Sequence, residues 1–130
     1  MSSAPEDVKA RIDAIEQSYE FFLAYAAQGL TSDEGSKSGG QLRDFLKKLQ
    51  DALEGLADGI EVAAADAEPR DAWTDMVAVV RSDADATLAA IRLVASRPGI
   101  SSQLIDNLNA NIHLRALLTD LFLVDDLIAG

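Results

Sequence analysis

The sequence contains no cysteine, a single histidine and three prolines, and aromatic residues fill only 5% of its 130 positions. Without cysteine there are no disulfides, thiolate metal sites or thiol nucleophiles, which fits a reducing compartment. The lone histidine, His113, has Ala110 three residues before it, so the Glu-x-x-His pairs of a di-iron bundle are missing. Glu16 and Glu20 share a helical face, but that face flanks the apolar seam rather than forming its centre. The residues around His113 lack the small side chains expected about a phosphotransfer histidine, and one histidine without attachment cysteines does not suggest haem. Lys37 stands in no phosphate-loop pattern, and Asp33 and Glu34 do not match the spacing of a calcium loop. No catalytic set, metal site or cofactor is expected from these residues.

Long apolar runs are also missing. None approaches the ~20 residues that span a bilayer. Residues 1–13 are polar and charged, unlike a secretory signal, so the expected location is cytoplasmic.

Positive charge is scarce. There are 22 acidic and 11 basic residues, a formal net charge of −11. Such a surface disfavours nucleic acid and anionic membranes as partners. Ten of the acids fall between Asp51 and Asp85, where Arg70 and Arg81 are the only basic residues. This 51–85 region, with Asp66, Glu68 and Asp71 at its tip, is either a solvated face or a dock for a basic protein.

What the sequence does contain is helical rhythm. Val8, Ile12, Ile15, Tyr19, Phe22 and Ala26 recur at alternating steps of four and three, one stripe of a helix. Ser3 with Glu6 has the capping-box pattern, and Gly29 suits a left-handed stop. The same rhythm runs from Leu42 to Ala63 and from Trp73 to Val94, with Glu68-Pro69 between them and Arg97-Pro98-Gly99 after. The spacing predicts an all-α, antiparallel four-helix bundle in up-down-up-down order. The helices are expected at 4–28, 41–67, 69–97 and 102–128 of a single domain. Residues 30–40, rich in glycine and serine, read as a flexible connector.

Two features suggest contacts beyond one chain. Gly55 and Gly59 lie opposite the Leu53/Leu56/Ile60 seam, where glycine is unfavourable unless the surface is simply tolerant or another helix comes close. In the fourth helix, Leu104, Ile105, Leu108 and Ile112 share one face. Beyond His113 the row Leu114, Leu117, Leu121, Val124 and Ile128 is rotated by more than about 90° from it. Either the helix kinks so that both rows meet the core, or one row is buried by a second copy about a two-fold axis. The second alternative makes Leu114, Leu117, Leu121, Val124 and Ile128, with Gly55 and Gly59, contact residues of a homo-oligomer. Phe21 points away from the first seam, toward a partner or ligand. The expected function is a non-catalytic interaction module, an oligomeric accessory or regulatory subunit. The alternative is a bundle that binds a small molecule or cofactor, with or without enzymatic activity.

Overall fold

The computed structural model describes residues 3–129. Among these there are six helices and no strand: α1 (Ala4–Ala26), α2 (Lys37–Leu53), α3 (Leu56–Ala63), α4 (Arg70–Ala95), α5 (Ser102–Asn109) and α6 (Ile112–Ala129). The expected second and fourth helices are thus each broken in two. No helix among the described residues is long and apolar enough to cross a membrane.

Helix α1 begins as its sequence predicts. Ser3 Oγ accepts from the Glu6 N–H at 3.2 Å, and the Glu6 carboxylate accepts from the Ser3 N–H at 3.4 Å. After its end, Gly29 takes a φ of +66°. Helix α2 starts earlier than expected, because Ser36 Oγ caps it by accepting from the Gly39 N–H at 2.9 Å. Gly39 is buried, and a Cβ there would overlap the Asp33 carbonyl. The glycines read as marks of a flexible connector therefore include one that lets the connector lie directly on the helix.

Both breaks have local causes. Glu54 is extended, and Gly55 adopts a φ of +86°, which costs a glycine little. Gly59, one turn on, faces α1: a Cβ on it would lie 3.3 Å from the Asp7 carboxylate and 3.5 Å from Val8. The close approach expected of Gly55 and Gly59 is real but comes from the same chain, with the Arg11 guanidinium over Gly55. The second break follows Asn109 and Ala110. Asn111 Oδ1 accepts from the N–H groups of His113 and Leu114, at 3.0 and 3.2 Å, and so caps a new helix.

That restart resolves the two rows. Leu114, Leu117, Leu121 and Val124 are each at most 1% exposed within this one chain, and Ile128 packs partly buried beside them. The expectation that a second copy covers this row is corrected: the break re-aims α6, and the row joins the chain's own core.

Helices α1 and α4 each pack on α2, α3, α5 and α6. The core between them holds Ile12, Ile15, Phe22, Leu46, Leu49, Ile60, Val80 and Ile91. Phe21 stacks on Phe45 with ring centroids 4.6 Å apart, so it too has an intrachain partner. Helices α1, α2 and α3 carry no basic residue in their last turns. The free carbonyls that end α2, α3 and α4 accept from arginines elsewhere in the chain. Arg11 donates to the Asp51, Ala52 and Glu54 carbonyls, Arg43 to those of Ala95, Arg97 and Pro98, and Arg70 to those of Ala64 and Ala67.

Candidate functional site

Helices α4 and α6 lie side by side and run antiparallel. Ala72, Trp73 and Met76 meet Leu123, Val124 and Leu127 at one end, and Asp83 meets Asp120 further along. Each helix turns its seam residues inward, and each has a second apolar stripe turned outward. On α4, Ala72, Met76, Val79, Asp83, Ala86 and Ala90 fall within about 80° at 100° per residue. Leu93 and Asp75 stand at the edge of that arc. On α6, Ile112, Ala116, Asp120, Leu123 and Leu127 also fall within about 80°, turned about 120° from the core row. Asp83 and Asp120 are the only polar side chains in the two arcs.

This face is uncovered in the single chain. Val79, Leu93, Ile112, Leu123 and Leu127 are 46–74% exposed, and Phe122 beside them is similarly open. At one end Glu68, Pro69, Ala72, Trp73, Met76, Leu123 and Leu127 line a cleft of about 310 Å³ whose wall is mostly apolar. Trp73, the only tryptophan, lies there at the rim of the core.

Where α4 and α6 meet, Asp83 and Asp120 lie close enough for their carboxyl groups to interact. Burial pushes the Asp120 carboxyl up, and a hydrogen bond shared with Asp83 and the charge of Asp83 push it further, to about 7. Asp120 Oδ2 is buried and has no hydrogen-bond partner. Two acids this close do not both ionise cheaply, which is the cause of the further push on Asp120. Among the described residues, no cation acts on Asp120. Arg81 pairs with Asp58 at 2.8 Å and with Glu61 on α3, and Arg92 pairs with Glu54 at 3.0 Å. Arg115 lines a separate groove between α1 and α6 with Glu16, Tyr19 and Glu20. There the Glu16 carboxyl is raised by burial and by the charges of Asp13, Asp125 and Glu20, against a lowering by Lys9.

The raised carboxyl sets the sign of a pH dependence. A folded-state pKa above the unfolded value of about 4 contributes stability that is full below pH 4 and lost as pH rises through 7. Asp120→Asn should therefore be more stable than the wild type at pH 8.5, by on the order of 1–3 kcal/mol after allowing for partial solvation. Below pH 5 the difference should vanish. Urea melts at the two pH values check this; an Asn variant less stable at both would contradict the raised Asp120 carboxyl.

The acidic 51–85 region runs over α2, α3 and α4, with Asp66 and Glu68 in the connection between α3 and α4 and Asp71 in the first turn of α4. Asp58 and Glu61 face Arg81, while Asp83 belongs to the apolar face. His113 is exposed near the start of α6. Among the described residues, no group of three or more histidine, aspartate or glutamate side chains is placed to hold a metal ion. The Asp83–Asp120 pair escaped sequence reasoning because the two residues lie on different helices and their meeting depends on the α4–α6 register. The signal within reach was the extra apolar surface of Phe122, Leu123 and Leu127 outside the core row. No family model, curated protein or solved structure matches the chain.

Proposed function

We propose that the protein is a non-catalytic protein–protein interaction module, an accessory or regulatory subunit that binds through its α4/α6 face. The observation that carries this reading is the pair of outward apolar stripes, additional to a core that is already complete. In this reading the six helices form four antiparallel rods, α1, α2 with α3, α4, and α5 with α6, joined up-down-up-down. A bundle of rods offers a rigid groove between neighbours and needs no moving part to bind. The arginines that cap the helix ends hold those rods in place.

Photo-crosslinking tests the assignment. A benzoylphenylalanine placed at Leu123 should form one discrete covalent adduct in cells of the source organism. The same group at Glu61, on α3, should form none. An adduct at twice the chain's mass would identify a second copy as the occupant of the face. Identical adducts from both positions, or none from Leu123, would overturn the assignment.

A further inference from the structure

We draw no further inference here: the strongest candidate, the outward apolar face shared by α4 and α6 with the cleft at Trp73, carries none because nothing in the structure shows what covers it.

Discussion

Leu121→Glu should abolish the cooperative melt of the protein, whereas Leu123→Glu, two residues away, should leave it within about 0.5 kcal/mol of the wild type. Leu121 is 1% exposed in the core row of α6, and Leu123 is 54% exposed on the outward stripe. Removing a buried leucine costs about 2–5 kcal/mol, and an ionised carboxylate in its place adds the cost of a charge with no partner. The sum is on the order of the whole stability of a domain of this size. Circular dichroism during thermal unfolding checks both variants. If Leu121→Glu remained folded and instead turned a dimer into a monomer, the row would belong to an intersubunit contact and the packing described for α6 would be wrong.

Asp33→Ala should be the most damaging change among the surface connections, with a loss of about 3 kcal/mol and a fall in Tm of roughly 10 °C. One carboxylate ties three parts of the chain together. Its Oδ1 accepts from the Ile100 N–H at 2.7 Å, and it pairs with Arg43 at 2.8 Å. Arg43 in turn donates to the carbonyls that end α4. Tyr25 and Ser102 lie in the same junction, with the Tyr25 hydroxyl donating to the Ile100 carbonyl at 2.6 Å and Ser102 Oγ to the Tyr25 carbonyl at 2.6 Å. Burial alone would push the Asp33 carboxyl up, but the hydrogen bonds from Arg43 and Ile100 more than offset it and hold it below the usual carboxylate range. A depressed carboxyl contributes stability above the unfolded value of about 4 and loses it as pH falls through the folded value. Asp33→Ala should therefore remove part of the wild type's acid sensitivity as well as lower its Tm at pH 7. A loss under about 1 kcal/mol would show that the loop is held by its neighbours instead.

The helical content was legible because the core needs one apolar stripe per helix, and that leaves a four-three rhythm in the chain. The capping box at Ser3 and the stop at Gly29 were legible for the same local reason. The connector was misread at Gly39: glycine signals freedom in isolation, but here it makes room for the Asp33 carbonyl, a contact between residues that no local pattern relates. The break at Asn111 had a local sign, an asparagine just before a rotated apolar row. Its meaning depended on whether the chain itself could reach that row. Gly55 and Gly59 posed the same difficulty, since close approach is visible in a sequence and the identity of the approaching helix is not. The candidate site was least legible of all. The outward stripes show as surplus apolar residues, but the pairing of Asp83 with Asp120 is set by how α4 and α6 slide against each other.

The central claim is that the outward stripes of α4 and α6 form the surface through which the protein binds. Photo-crosslinking from Leu123, with Glu61 as the comparison, tests it most directly. One discrete adduct from Leu123 and none from Glu61 is the predicted result. Identical adducts from both positions, or none from Leu123, would contradict it.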